Sequence, residues 1–315
     1  LVPNVIRSAK LVLTLYLGYA VFGIVAYAAA GMTFFDAVNH SFAAVSTGGF
    51  STRPNSIGEW NSPVIEIITM VLMIFGSMNF LTAYLLFTRK IKSVLRNGEI
   101  RLSAFLIMLF SVLLFLLTVR GGYSPVEKAI RVAVFETVSA VTTTGFSTVS
   151  YGSWNGAGVG MLIVLMLIGG GTGSTAGGMK QYRIYLLYKA LVWEIKRSVL
   201  PRRAVTANYI WQGEKKFFID DKAVKLVAVF VFLYLLTLIT GTLIIASCGY
   251  SLRDSLFEFS SALGTVGLSI GVTSPSAHPL TLVAMTAGMF MGRLEFFVIV
   301  TSIVKVMNDL SSHDS

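Results

Sequence analysis

The sequence has little charge for its length. Only 13% of its 315 residues are Asp, Glu, Lys or Arg, whereas soluble domains carry about 25%. Its single cysteine, Cys248, excludes an internal disulfide and a thiolate metal cluster, and we interpret it as a small apolar helix residue. The three histidines, His40, His278 and His313, are scattered, and neither a metal-ligand spacing nor a nucleophile–base pair is visible. The sequence therefore does not support soluble-enzyme chemistry.

The sequence is instead rich in long apolar runs. Hydrophobic residues make up 55% of the chain and the mean hydropathy is +0.75. A helix needs about 17–25 apolar residues to cross a bilayer. Runs of that length occur at 11–30, 64–87, 102–119, 158–180 (with a glycine interruption), 224–247 and 280–304. We predict six spanning helices, the first of them not a signal peptide, because it leads into a motif that recurs later.

The basic residues collect at one set of helix ends. Most of the 25 Lys and Arg residues precede the first run, join the second to the third, join the fourth to the fifth, or follow the last. This is the positive-inside asymmetry. It predicts a multi-pass protein of the cell membrane with both termini and the two basic linkers in the cytoplasm. Despite the net charge of +10, no basic stripe with interleaved aromatic residues indicates a nucleic-acid partner.

Three connections between successive runs share one pattern. Aligned on a single glycine, they read NHSFAAVSTGGFS (39–51), FETVSAVTTTGFS (135–147) and FEFSSALGTVGLS (257–269). The aligned glycines are Gly49, Gly145 and Gly267. Each is preceded by a helical segment that is too short to span a membrane, and these segments are 34–46, 126–142 and 252–263.

The repeated pattern predicts re-entrant pore loops. Irregular backbone at membrane depth is tolerated only where it is buried in protein or lines a water-filled cavity. A half-helix would point its negative dipole end into the membrane, and the extended backbone after it would turn carbonyl groups towards an axis. Nothing in these strands is charged, which suits a monovalent cation. We therefore predict an all-α integral membrane protein built from three helix–pore loop–helix units, with three re-entrant pore helices.

With these motifs the chain resembles the Trk/Ktr/HKT superfamily of potassium transporters, in particular its bacterial TrkH- and KtrB-like membrane subunits. The resemblance covers essentially the whole chain. STGGFST, TTTGFST and GTVGLS resemble the family's second, third and fourth filter segments. The resemblance implies a selectivity filter that binds potassium through backbone carbonyls. The filter residues would be Thr47, Gly48, Gly49, Thr143, Thr144, Gly145, Thr265, Val266 and Gly267.

The same resemblance divides the chain into three pore repeats. Residues 1–95 correspond to the family's second repeat, 96–222 to the third and 223–315 to the fourth. Four units close the pore in that family, so we expect the first repeat to lie upstream of Leu1 in a longer protein. If the 315 residues were the entire chain, another chain would have to complete the pore.

A glycine-rich stretch, IGGGTGSTAGGMK, occupies 168–180 inside the fourth run. A helix there would lose about 1 kcal/mol per glycine. A dinucleotide-binding loop is disfavoured because no strand precedes it, and Met179 interrupts the Gly-Lys of a Walker loop. Two interpretations of this stretch are left, a flexible kink and a broken helix whose loop lies below the filter. The resemblance implies an intramembrane gate, made by Gly169, Gly170, Gly171, Thr172, Gly173, Ser174, Gly177, Gly178 and Lys180, whose lysine interacts with the gate or snorkels to the interface.

Arg293 lies within the last run, where a charge is expensive and usually functional. It forms a local ion pair with Glu295 or, as the resemblance implies, places a fixed positive charge below the filter as an electrostatic barrier.

Further polar residues precede the aligned glycines at equal spacing. Glu136 and Glu258 stand nine residues before their glycines, with His40 at the same place in the first repeat. We expect them to support the structure rather than to bind ions. Asp36 and Asp254 fit carboxylates at helix starts.

The linker at 196–223 is basic and contains β-favouring stretches. It forms a solvated hairpin or a docking surface for a soluble regulator.

The function that the resemblance implies is potassium uptake through a central filter, gated by the glycine-rich loop. Potassium would be the substrate, the chain would bind no cofactor and it would not be an enzyme. Expected partners are a second copy of the chain, a cytosolic nucleotide-binding subunit similar to TrkA or KtrA, and membrane lipid. The alternatives are a sodium-permeable member of the family, the potassium-binding subunit of an ATP-driven pump, and a non-conducting ion sensor.

Overall fold

A computed structural model describes residues 5–201, 208–212 and 215–294, together with 302 and 305. The described chain is almost entirely helical. The helices are α1 (Val5–Ala29), α2 (Phe34–Val45), α3 (Pro63–Ser77), α4 (Phe80–Phe87), α5 (Ile91–Arg96), α6 (Gly98–Leu114), α7 (Val126–Val141), α8 (Gly156–Ile168), α9 (Gln181–Val199), α10 (Asp221–Ser247), α11 (Leu252–Leu263) and α12 (Pro279–Leu294). A π-helical turn, Phe115–Val119, extends α6. The strands β1 (Tyr209–Gln212) and β2 (Lys215–Phe218) form an antiparallel hairpin in the basic linker.

Several of the predicted spanning runs are interrupted in the part of the chain that the structure describes. Among the described residues, three helices are long and apolar enough to cross a membrane: Ala9–Ala29, Gly98–Val119 and Asp221–Ser247. The predicted fourth run stops being helical at Ile168, where the glycine-rich stretch begins. The last predicted run is helical through Leu294; beyond that residue only 302 and 305 are described, both helical.

Hydropathy predicts a single helix for the second run, but the structure divides this run into two helices. Its two parts, α3 and α4, are bent by 116°. Asn79 makes the break, because its side-chain oxygen accepts the amide N–H of Leu81 at 2.8 Å and so starts a new helix. Apolar composition extends across this bend, and for that reason the sequence does not reveal it.

A long helix, a short helix and another helix recur three times along the chain. The short helices α2, α7 and α11 each pack against the helix before and the helix after them in this arrangement. Their bounds agree with the predicted half-helices to within one residue. The third copy shows how closely they pack, because a Cβ on Gly241 would collide with the ring of Phe259 on α11 and a Cβ on Gly288 would lie only 3.0 Å from it.

Successive copies also contact each other. Helix α3 packs against α7, and α8 packs against α11. An ion pair of 2.7 Å between Arg131 on α7 and Glu66 on α3 joins the first copy to the second. The C-terminal ends of the three short helices are thereby brought towards one region.

Candidate functional site

Each short helix ends in the same unusual turn. Two residues before each aligned glycine stands a threonine, and these threonines, Thr47, Thr143 and Thr265, have φ values of 52°, 54° and 52°. A β-branched residue in the left-handed region is a genuine outlier. Such strain persists only where the surrounding structure determines it, and it clusters at functional sites.

Backbone hydrogen bonds hold each turn against its own helix. In the first copy the amide of Thr47 donates to Ala44 O at 3.2 Å, and the amide of Gly48 donates to Ala43 O at 2.8 Å. This pair of bonds defines a Schellman motif. The same pair recurs in the other copies, from Thr143 and Thr144, and from Thr265 and Val266. The chain therefore leaves the three helices in the same way.

The aligned glycines lie where the three segments approach each other. A Cβ on Gly49 would overlap the carbonyl oxygen of Thr144, and a Cβ on Gly145 would overlap that of Val266. Both glycines, like Gly267, have positive φ values, which only glycine adopts without strain. The three segments thus lie side by side in chain order, with backbone oxygens next to the neighbouring glycine.

The predicted supporting residues hold the strand that follows each glycine. Glu258 Oε1 accepts the amides of Ile270, Gly271 and Val272 at 2.9–3.2 Å. Two hydroxyl groups, those of Ser269 and Thr273, also donate to this carboxylate, at 2.6 and 2.9 Å.

The equivalent residues do the same in the other two copies. Glu136 accepts the amide and the hydroxyl of Thr148 at 2.8 and 2.7 Å, and the hydroxyl of Tyr151. His40 Nδ1 lies 2.8 Å from Asp36 O, so in the neutral ring Nε2 accepts from Ser51 Oγ, also at 2.8 Å. These contacts support the structural role that the sequence predicts.

The carboxylates predicted at helix starts are confirmed. Ser251 Oγ caps α11 by accepting the amide of Asp254 at 3.1 Å, and it donates to the Asp254 carboxylate at 2.7 Å. Asp36 lies in the first turn of α2, where hydrogen bonds from Thr52 and Arg53 lower the pKa of its carboxyl to about 2.

The glycine-rich loop, residues 169–180, contacts the ends of all three short helices. Thr175 Oγ1 donates to Val45 O on α2 at 2.9 Å. The amide of Gly177 donates to Thr143 Oγ1 at 2.6 Å, and the amide of Gly178 donates to Gly264 O, after α11, at 3.1 Å. The second half of the loop therefore lies directly against the three turns.

The first half of the loop is held by other elements. The α3–α4 bend contributes bonds from Gly171 N to Ser77 O at 2.9 Å and from Phe80 N to Gly173 O at 3.2 Å. The Asn79 side chain donates to Thr172 O. On α6, the buried Glu99 accepts the amide of Thr172 at 2.8 Å.

Sequence reasoning missed Glu99 and Asn79. The available signal was weak: an acid at the start of a spanning run, and an amide inside an apolar run, both of which are unusual in a membrane. Their partner lies more than seventy residues away in the chain.

The two predicted cations of the gate region also contact the loop. Lys180 has a φ of 75° and its Nζ donates to Ala176 O. Arg293 Nη1 donates to Thr175 O at 3.0 Å. Glu295, the alternative partner for Arg293, lies outside the described residues.

Comparisons with known proteins place the chain in a family. A family model described as "TrkH: Cation transport protein" matches residues 1–314. The Trk system potassium uptake protein TrkG of Escherichia coli (strain K12) is 32% identical over 304 residues, which cover 93% of this chain and 61% of that protein. The corresponding TrkH of Halomonas elongata is 31% identical over 305 residues, covering 95% and 62%.

A solved structure is similar as well. The crystal structure of the potassium transporter TrkH from Vibrio parahaemolyticus superimposes with a TM-score of 0.83 at 30% identity, covering 96% of this chain and 65% of that one. The chain thus spans about three fifths of the length of the curated relatives it matches. Together with the apolar helices, these similarities make it a membrane protein.

Proposed function

Because the chain belongs to the TrkH family of cation transport proteins, which are transporters and not enzymes, we propose that it takes part in potassium uptake across the cell membrane. The relatives described above are named as potassium uptake proteins. The single observation that carries the proposal is the side-by-side placement of three identical turns, each with a strained threonine and a positive-φ glycine.

In this proposal the three turns form a large part of a selectivity filter. Backbone carbonyls at 47–49, 143–145 and 265–267 replace the water shell of a potassium ion, as carbonyl rings do in channels. The tight Schellman turns and the bonds to His40, Glu136 and Glu258 keep those carbonyls in place. Potassium is the substrate, and no cofactor takes part.

The glycine-rich loop acts as the gate. It contacts the ends of all three short helices, so its position determines whether an ion can leave the filter on that side. Arg293, bonded to Thr175 O, adds a positive charge that opposes cation passage while the loop is in place.

The proposed architecture consists of three pore repeats, 1–95, 96–222 and 223–315, with six membrane crossings and three re-entrant helices. The termini and the basic linkers face the cytoplasm. The assembled transporter is a homodimer, and a cytosolic nucleotide-binding subunit moves the gate through the linker.

Flux into vesicles tests this function. Full-length protein is reconstituted in liposomes, and uptake of potassium and sodium is measured against protein-free vesicles. We expect protein-dependent potassium uptake that exceeds sodium uptake. Equal sodium uptake would indicate a sodium-permeable member. Ion binding without flux would indicate a sensor or a pump subunit, and either result would refute the proposal.

A further inference from the structure

A basic cavity lies near the N-terminal end of α6. It has a volume of about 460 Å³ and lies between the beginning of α6, helix α9 and the hairpin. Its charged lining residues are Arg96, Arg101, Lys189 and Lys196, and no Asp or Glu lines it among the described residues. Such a cavity attracts an anion.

Aromatic rings frame the cavity and orient its cations. The Arg96 guanidinium lies 5.3 Å from the centre of the Trp211 ring, and Lys189 Nζ lies 5.7 Å from that of Tyr185. The Tyr185 ring is pressed against Gly98, where a Cβ would collide with it. The wall between α6 and α9 is therefore closely packed.

The cations of the cavity are available to a ligand. Arg101 Nε donates to Leu95 O at 2.6 Å. This bond fixes the guanidinium group and leaves its terminal N–H groups to bind a ligand. Within the described part of the chain, none of the four side chains pairs with a carboxylate within 4.0 Å.

Exposed apolar side chains accompany the cations of the cavity. Leu200 lines the cavity and is exposed, and Leu95, next to the lining residue Arg96 in the chain, is 58% exposed. The spanning helix α6 begins at Gly98, beside the cavity. The anion site thus lies at the level where lipid headgroups meet acyl chains, which favours a lipid over a soluble anion.

We propose that this cavity binds the phosphate headgroup of an anionic membrane lipid of the phosphatidylglycerol type. Arg96 and Arg101 would contact the phosphate oxygens with their planar N–H groups, Lys189 and Lys196 would add charge, and the exposed Leu95 and Leu200 side chains would contact the acyl chains. Basic pockets between membrane helices are known to hold such headgroups. This inference is independent of potassium transport and requires only that the chain lies in a membrane.

Native mass spectrometry of the full-length protein in detergent tests the site. Binding of phosphatidylglycerol and phosphatidylcholine is titrated on the wild type and on R96Q/R101Q/K189Q. The matched control, R89Q/K222Q/K225Q, removes the same charge from residues that do not line the cavity. We expect phosphatidylglycerol to bind about tenfold more weakly to the cavity variant and with nearly wild-type affinity to the control.

Several outcomes would overturn the proposal. Equal weakening in both variants would show unspecific attraction of charge, and equal binding of phosphatidylcholine would show that the headgroup charge does not matter. Displacement of the lipid by millimolar inorganic phosphate or ATP would assign the site to a soluble anion. If the triple variant is not monodisperse, the single variants Arg96→Gln and Lys189→Gln replace it, and unchanged binding in both contradicts the site.

Discussion

The three turns after the short helices and the glycine-rich loop both depend on residues with positive φ, yet different contacts stabilise them. Each turn is fixed by backbone hydrogen bonds to its own helix, repeated in every copy. The loop occurs once. It is held by the α3–α4 bend, by Glu99 on α6, by Arg293 on α12 and by the turns themselves.

Under the proposed function, this difference separates a rigid filter from a movable gate. The backbone hydrogen bonds of each turn are made to the last carbonyl groups of its own helix. The turns therefore keep one geometry for as long as the short helices are folded. The position of the loop depends on several distant side chains, and the loss of one of them releases part of it. Such an arrangement suits a fixed filter beside a gate that has two positions.

The largest effect is expected where a turn is blocked. Gly49→Ala forces a positive φ on alanine and drives its Cβ into the Thr144 carbonyl oxygen. Strain of about 3 kcal/mol corresponds to roughly a hundredfold loss, and we expect potassium uptake in vesicles to fall by about that factor. Gly160→Ala, in a helix with no atom within 4 Å of the new Cβ, serves as the control and should transport normally. Near-normal uptake by Gly49→Ala would contradict close contact between the turns.

The number of hydrogen bonds that support the segment after each aligned glycine predicts which alanine substitution destabilises the protein more. Glu258→Ala removes five hydrogen bonds, from three amides and two hydroxyls, of which only the Gly271 amide keeps a second acceptor, Ser269 Oγ. His40→Ala frees one hydroxyl and one carbonyl. We expect a loss of about 3 kcal/mol for the first and about 1 kcal/mol for the second. Thermal unfolding in detergent measures both. Equal midpoints would show that these carboxylate bonds do not stabilise the strand.

Releasing the loop should increase leakage. Glu99→Ala removes the acceptor for the Thr172 amide, and a bond to a charged group contributes about 1.5 kcal/mol or more. We therefore expect basal potassium flux to rise by roughly tenfold. Glu99→Gln keeps an acceptor oxygen and should stay close to the wild type. A decrease in flux for the alanine variant would mean that Glu99 supports the open position of the loop instead.

The smallest effect is expected at the outer end of α2. Arg53→Gln breaks a 2.7 Å ion pair with the buried Asp36, but the arginine side chain is 44% exposed, and a pair that water reaches contributes about 1 kcal/mol or less. Asp36 keeps its bonds from Thr33 and Thr52. Potassium uptake and the thermal midpoint should both stay near the wild-type values. A large fall in either would show that the turns depend on more than local bonds.

The repeated part of the fold could be predicted from the sequence, and the single part could not. Small residues and an aligned glycine recur at fixed spacing, so the ends of the short helices were predicted to within one residue. Asn79 and Glu99 both hydrogen-bond to Thr172 of the glycine-rich loop, which lies more than seventy residues further along the chain. A hydropathy pattern carries no information about such distant contacts, and it therefore predicts one spanning helix over 64–87.

The most direct test of the account is the potassium-to-sodium flux ratio of Gly145→Ser in vesicles that contain the full-length protein. The serine Cβ would meet the Val266 carbonyl oxygen at the centre of the three turns, so the spacing of the carbonyl groups must change. If these turns form the filter, the ratio falls by about tenfold, a difference of about 1.4 kcal/mol between the two ions. An unchanged ratio with flux still present would show that the selectivity lies elsewhere.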